Sequence, residues 1–206
     1  MVDPVVPALA ALEAASRVLW GGGLIAFPTE TFYGLGANAL DPEAVARVFR
    51  AKDRPAEKPL LVLVDSLEMA TRVAAEIPAK ARSLIARYWP GPLTLILSAQ
   101  PSLPEALTAG TRKIGVRIPG HPVARALVRA AAVPITAPSA NPHGAAGPTT
   151  ADEVLARLGA RVDLVLDGGR TAGSPASTVL DVTQTPVRVV RAGAVALTPA
   201  DLGEDA

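Results

Sequence analysis

Three short stretches of this 206-residue sequence gather hydroxyls, amides and cations among glycine and proline. The first is Pro28-Thr29-Glu30-Thr31-Phe32-Tyr33-Gly34-Leu35-Gly36. The second, residues 52–58, reads KDRPAEK, and the third, residues 139–150, reads SANPHGAAGPTT. Two arginines stand apart from them: Arg117, in the apolar run 115–118, and Arg191, after the run 187–190. Guanidinium and ammonium groups hold carboxylates and phosphates, arginine through two parallel bonds, so these residues suit chemistry on anionic reactants. Each also has a plainer reading. Lys52 and Arg54 stand where a helix ends, and cations there complement its dipole. Ser139 and Asn141 are residues that turns use to satisfy backbone, and Thr29 and Thr31 are ordinary loop residues. Arg117 is harder to dismiss, because a guanidinium in an apolar strand needs an anion beside it. His143 near Ser139 invites a serine-hydrolase reading, but no G-x-S-x-G elbow is present.

The composition narrows the chemistry further. There is no cysteine, which excludes disulfides, thiolate metal sites and thiol nucleophiles, and two histidines, His121 and His143, leave little for a histidine-rich metal site. A formal net charge of +1 and 3% aromatic residues argue against a general nucleic-acid surface, which needs excess charge and stacking rings. Half the residues are apolar and 19% are charged, as in a chain with a well-buried core, which must here be built from Ala, Val, Leu and Ile. Residues 1–4 (MVDP) do not read as a secretory signal, and no run reaches the ~18 apolar residues that span a bilayer. A cytoplasmic protein with no membrane partner is expected.

These loops need elements to carry them. Apolar periodicity predicts helices over 8–20, 44–51, 66–76, 79–88, 122–131 and 154–158, and apolar runs predict strands over 24–27, 60–64, 93–97, 115–118, 134–137, 162–166, 178–182 and 187–190. Asp41-Pro42-Glu43 is a helix start, and Thr150-Ala151-Asp152-Glu153 is a capping box. Gly21-Gly22-Gly23 follows a helix and lacks the Gly-Lys-Ser/Thr of a phosphate loop, so it reads as a helix end. Helices and strands alternate, then strands follow strands, which predicts one α/β domain with a twisted, mixed parallel and antiparallel sheet. The domain is expected over 8–195, with a short flexible tail over 196–206.

The stretches also match a pattern in order and spacing. Residues 28–36, Lys52-x-Arg54-Pro55, Pro90-Gly91-Pro92-Leu93-Thr94, Arg117-Ile118-Pro119, Ser139-x-Asn141 and Ser177-Thr178-Val179 together resemble the YrdC/TsaC family of threonylcarbamoyl-AMP synthases. The resemblance implies a basic concave cleft holding threonine and ATP together. It implies threonine contacts from Thr31, Arg117, Ser139 and Ser177. It further implies nucleotide contacts from Lys52, Arg54, Lys58, Asn141, Thr149 and Arg191, with Lys52 and Arg54 acting on the phosphates. Lys113 stands where relatives often carry a small hydroxyl residue on the nucleotide side, and Leu63 where many carry a histidine. The implied reaction joins the threonine amine to bicarbonate or carbon dioxide and then attacks ATP. Mg²⁺ is expected to arrive with the nucleotide rather than at a protein metal site. Longer family members carry a further C-terminal domain, and downstream tRNA-modifying proteins are the implied partners. Two other readings use the same cations: a module that binds RNA weakly in its basic cleft, and a carbamoyl-adenylate module of the kind found in hydrogenase maturation factors. Those factors carry zinc-finger cysteines that this chain lacks.

Overall fold

The computed structural model describes residues 9–173 and 175–203. Residues 1–4, read above for a signal, and the last three residues of the expected tail lie outside it. The described elements run α1 (Leu9–Trp20), β1 (Ile25–Pro28), β2 (Tyr33–Gly36), α2 (Pro42–Lys52), β3 (Leu61–Leu63), α3 (Leu67–Ala70), α4 (Ala79–Tyr88), β4 (Leu93–Ser98), α5 (Glu105–Thr108), β5 (Lys113–Arg117), α6 (Pro122–Ala131), β6 (Ile135–Thr136), α7 (Ala151–Leu158), β7 (Leu164–Val165), β8 (Thr178–Asp181), β9 (Arg188–Arg191) and α8 (Pro199–Leu202). The expected α/β domain with mixed parallel and antiparallel pairing is present, but its strands divide between two sheets. One has the order β2-β1-β7 and the other β6-β3-β5-β4-β8-β9.

A seam of backbone bonds joins the two sheets. Leu35 N donates to Pro138 O at 2.7 Å, Ala140 N to Tyr33 O at 2.8 Å and Thr136 N to Ala37 O at 3.0 Å. The buried Thr136 hydroxyl adds a second layer, donating to Leu35 O and accepting from Ala37 N, each at 3.0 Å. A β-branched residue with one hydroxyl therefore satisfies two buried backbone groups that neither sheet ladder reaches. β2 itself was expected as loop. Its glycines hid it: Gly34 and Gly36 lie against Phe27 and Ile135, so a strand buried along its whole length reads as a flexible stretch.

Local signals set most other boundaries. Asp41 caps α2 by accepting from Glu43 N and Ala44 N, with Pro42 at the first turn. Thr150 accepts from Glu153 N as its sequence predicts, but the Glu153 carboxylate accepts from Thr149 N rather than closing the box on Thr150. The helix expected over 66–76 stops at Ala70 because Ala75 N donates to Ser98 O, and Ala74 bridges Ala99, drawing the chain to the end of β4. The tail is not loose over its described part. Thr198 and Asp201 form a capping box around α8, and the buried Asp201 accepts from Tyr88 Oη at 2.7 Å and pairs with Arg87 at 3.2 Å. These bonds hold the Asp201 carboxyl down at about 2, against the pull of its burial.

The core is aliphatic, with Phe27 and Tyr33 its largest fully buried members, both at the three-stranded sheet. Burial raises the Tyr33 phenol to about 12, and its hydroxyl donates to Gly169 O at 2.7 Å, anchoring the turn after β7. A Cβ at Gly36 would come within 2.8 Å of both Phe27 and Ile135. Gly36→Ala is therefore expected to lower unfolding free energy by about 1–3 kcal/mol through overpacking at the seam, measured by urea denaturation.

Candidate active site

The two sheets enclose a cavity of about 600 Å³. Its floor is one face of the six-stranded sheet, made by alternate residues: Lys113, Gly115 and Arg117 of β5, Thr94 and Ile96 of β4, and Val179 of β8. Its walls are the β1–β2 turn, the segment before β3, the seam at Ser139 and the end of β9. Gly115 keeps the floor low, since a Cβ there would already touch Leu61 and Thr94 at 3.3 Å. Arg54, Lys58, Lys113, Arg117 and Arg191 line the cavity together with one carboxylate, Glu57. Residues scattered from 31 to 191 thus meet in one hollow. Thr31, Ser139 and Ser177 lie there as well.

Each lining arginine is tied down by part of its guanidinium. Arg54 donates from Nε to Lys58 O at 3.0 Å and from Nη2 to Pro59 O at 2.9 Å. Arg191 donates from Nε and Nη2 to the carbonyl and hydroxyl of Ser177, at 3.0 and 2.9 Å. Arg117 donates from Nη1 to Glu30 Oε1 at 3.0 Å. Among the described residues, Arg54 Nη1, Arg117 Nη2 and Arg191 Nη1 have no protein partner. Three forks are held rigid while each keeps a terminal nitrogen for something else. Such preorganisation lowers the entropy lost when an anion is bound. Burial lowers the pKa of all three, and at Arg117 Glu30 opposes the shift while Arg191 adds to it. Guanidinium nevertheless stays charged at neutral pH.

The hydroxyls are ordered too. Thr29 donates to Phe32 O at 2.7 Å, so in its 3.2 Å contact with Thr31 the Thr31 hydroxyl is the donor. Thr31 Oγ1 keeps its lone pairs for a ligand donor. Ser177 Oγ lies 3.2 Å from Thr94 Oγ1 while accepting from Arg191. Lys58 Nζ lies 2.9 Å from His143 Nε2, which must then be an unprotonated acceptor. Slight desolvation and the charges of Lys58, Arg54 and Lys52 hold the His143 pKa down. Lys113 pairs with Asp181 at 2.8 Å.

Three expected ligand residues are not on the cavity wall. Lys52 is 2% exposed, and its ammonium donates to Ser139 O at 2.5 Å and Asn141 O at 2.6 Å, so it clamps the seam loop. Asn141 spends its amide hydrogens on Pro142 O and Ala145 O, both at 2.8 Å. Thr149 is occupied by Glu153 and Arg170. Partners brought by folding thus occupy the Lys52 ammonium, the Thr149 hydroxyl and the amide hydrogens of Asn141, whose Oδ1 is buried without a partner. Leu63 is buried beside Arg117 in register and does not line the cavity. Sequence reasoning gave no role to Glu30 or Thr94. The signal for Glu30 was present: a buried arginine demands an anion, and Glu30 is the one carboxylate of its stretch.

With this geometry in place, relatives can be compared. The sequence profile of the Sua5/YciO/YrdC family, described as telomere recombination, matches residues 17–193. The chain belongs to this family. Within it, the threonylcarbamoyl-AMP synthase of Pyrococcus abyssi is 45% identical over 186 residues, covering 90% of this chain and 55% of its own length. The crystal structure of P. abyssi Sua5 complexed with L-threonine matches with a TM-score of 0.86 at 44% identity, over 88% of this chain and 54% of that one. Escherichia coli YciO matches with a TM-score of 0.85 at 28% identity, over 98% and 97% of the two chains. This Sua5/YciO/YrdC chain spans about half the length of the first curated relatives it matches.

The buried clamp gives a pH test. Burial, with the charge of Arg54 adding, lowers Lys52 from 10.5 to about 8. A neutral amine still has two hydrogens for its two carbonyls, so the clamp survives deprotonation. Below about pH 8 both folded and unfolded states are protonated and nothing changes. Between about pH 8 and 10 the unfolded chain binds more protons, so stability rises with pH, by up to roughly 3 kcal/mol in total. Wild type is expected to gain stability across this window relative to Lys52→Met, measured by urea denaturation at stepped pH.

Proposed function

We propose that this protein makes threonylcarbamoyl-AMP and pyrophosphate from L-threonine, bicarbonate or carbon dioxide, and ATP, as a nucleotidyltransferase. The observation that carries this reading is the convergence of Arg54, Arg117 and Arg191 on one cavity, each fixed yet each with an unengaged nitrogen. The relatives named as threonylcarbamoyl-AMP synthases and the threonine complex of P. abyssi Sua5 support it.

The chemistry follows from charge. The threonine amine adds to carbon dioxide, forming a C–N bond and releasing a proton, to give a carbamate. A carbamate oxygen then bonds to the α-phosphorus of ATP while the bond to pyrophosphate breaks. Nucleophile and electrophile are both anions, so fixed cations are the first requirement. Arg117 takes the threonine carboxylate through Nη2. Thr31, Ser139 and Ser177 fix its amine and hydroxyl. Arg54 and Lys58 meet the phosphates, and Arg191 and Lys113 the rest of the nucleotide. Each charge contact at ~4 Å supplies about 4 kcal/mol at an effective dielectric near 20. Lys52 serves indirectly, by holding the carbonyls at 139 and 141. The carbamate is already ionised, so the displacement step needs no general base.

Mg²⁺ belongs to this reaction as the counter-ion of the triphosphate. Among the described residues no three His, Asp or Glu side chains gather around a metal position. In this reading the ion would arrive with the nucleotide and would supply charge neutralisation to the phosphates. No described helix is long and apolar enough to cross a membrane. We place the reaction in the cytoplasm, where its product would pass to proteins that modify an adenosine of tRNA.

Incubation with ATP, Mg²⁺, bicarbonate and threonine should yield the adenylate by mass spectrometry, together with pyrophosphate. Absence of both would overturn the proposal. Arg54→Ala should cut the rate about 10²–10³-fold, as loss of a fixed charge-stabilising donor does. Valine, which lacks the hydroxyl, should support far less pyrophosphate release than threonine; equal release would rule out hydroxyl recognition.

A further inference from the structure

Arg117 and Glu30 come from different sheets and meet beneath the cavity. Their side chains are 4% and 19% exposed. The contact has one point, Nη1 to Oε1, and the second bond of the usual fork is not made: Glu30 Oε2 and Arg117 Nε are both buried without a partner. Nη2 is neither bonded nor among the buried unpartnered atoms, so it is the nitrogen by which Arg117 reaches the cavity. Arg191 lies close enough that its charge acts on Arg117, and the cavity wall itself carries a single carboxylate, Glu57. Two converging guanidiniums repel each other. Without Glu30, Arg117 would gain by swinging away from Arg191 toward water, and its Nη2 would leave the floor.

From this geometry we infer that Glu30 is a positioning residue for the carboxylate of the amino-acid substrate, because it pins one end of Arg117 and leaves the other for that group. The inference rests on the threonine reading above and deepens it. Glu30 is not on the cavity wall and touches no reactant; it acts through Arg117. Its effect should therefore fall on the carboxylate alone. The hydroxyl, the amine and the nucleotide are held by other residues.

L-threoninol, which has the amine and hydroxyl but no carboxylate, separates these terms. Calorimetric binding of L-threonine and of L-threoninol would be measured on the full chain, for wild type, Glu30→Ala and Glu30→Gln. Wild type should bind threonine about 10-fold or more tighter than threoninol, as a charge-assisted contact implies. Glu30→Ala should lose about that factor for threonine and little for threoninol, so that the preference collapses. Glu30→Gln keeps an acceptor oxygen and should recover most of it. In turnover, Glu30→Ala should raise KM for threonine, with KM for ATP and kcat within about 3-fold of wild type. A merely structural role would weaken threonine, threoninol and ATP alike, and that result would overturn the inference. So would wild-type threonine affinity in Glu30→Ala. If Glu30→Ala does not fold, Glu30→Asp, shorter by one methylene, must show the same selective loss for threonine. Failure of wild type to bind threonine would overturn the threonine reading itself, and this inference with it.

Discussion

Arg117 rises from the middle of the six-stranded sheet and Glu30 from the turn of the three-stranded one, and their contact joins the two layers under the cavity. A guanidinium in a protein interior is costly unless an anion and hydrogen-bond acceptors attend it. Here the anion arrives from another sheet, so the charge cannot be satisfied until both sheets are in place. The same requirement fixes how the hollow between them is shaped. Arg117 is a floor residue only because Glu30 holds one end of it. At Arg117 that carboxylate opposes the effect of the nearby Arg191 charge.

A similar logic runs through the rest of the cavity. Lys52 reaches across from the end of α2 to two carbonyls of the seam loop, and Thr136 satisfies two backbone groups between the sheets. Arg54 is bound by carbonyls of the segment before β3, and Arg191 by the carbonyl of Ser177 just before β8. Cations near the cavity are thus fixed by backbone dipoles as much as by carboxylates. Such an arrangement keeps them rigid without cancelling their charge, which suits a site for anions. A wall rich in glutamate would have held the same side chains and neutralised them.

Much of this was legible before any coordinates. Asp41-Pro42 and Thr150 marked helix starts that α2 and α7 keep, and the apolar runs around 61–63, 93–98 and 178–181 are strands. Arg54, Arg117, Arg191, Thr31 and Ser139 were candidates by type and setting and Ser177 by the family resemblance, and they do meet. The failures have physical causes. β2 was hidden because two of its four residues are glycine, required by the rings and methyls packed on them. α3 was overextended because periodicity cannot see a strand that captures the following backbone. The tail was underestimated because the partners of Asp201 lie on α4, more than a hundred residues away.

The sequence by itself determined the inventory: no thiol, few imidazoles, and cations set at the ends of apolar runs. It also determined the local signals that start and stop helices, because caps and turns are satisfied within a few residues. Only the tertiary structure decided which of those cations line the cavity and which are spent on the protein. Lys52 and Arg54 are two positions apart and read alike, yet one is sealed against carbonyls 87 and 89 residues away and the other lines the cavity. Hydrogen-bond satisfaction of a buried charge is a long-range property, and spacing along a chain carries no record of it.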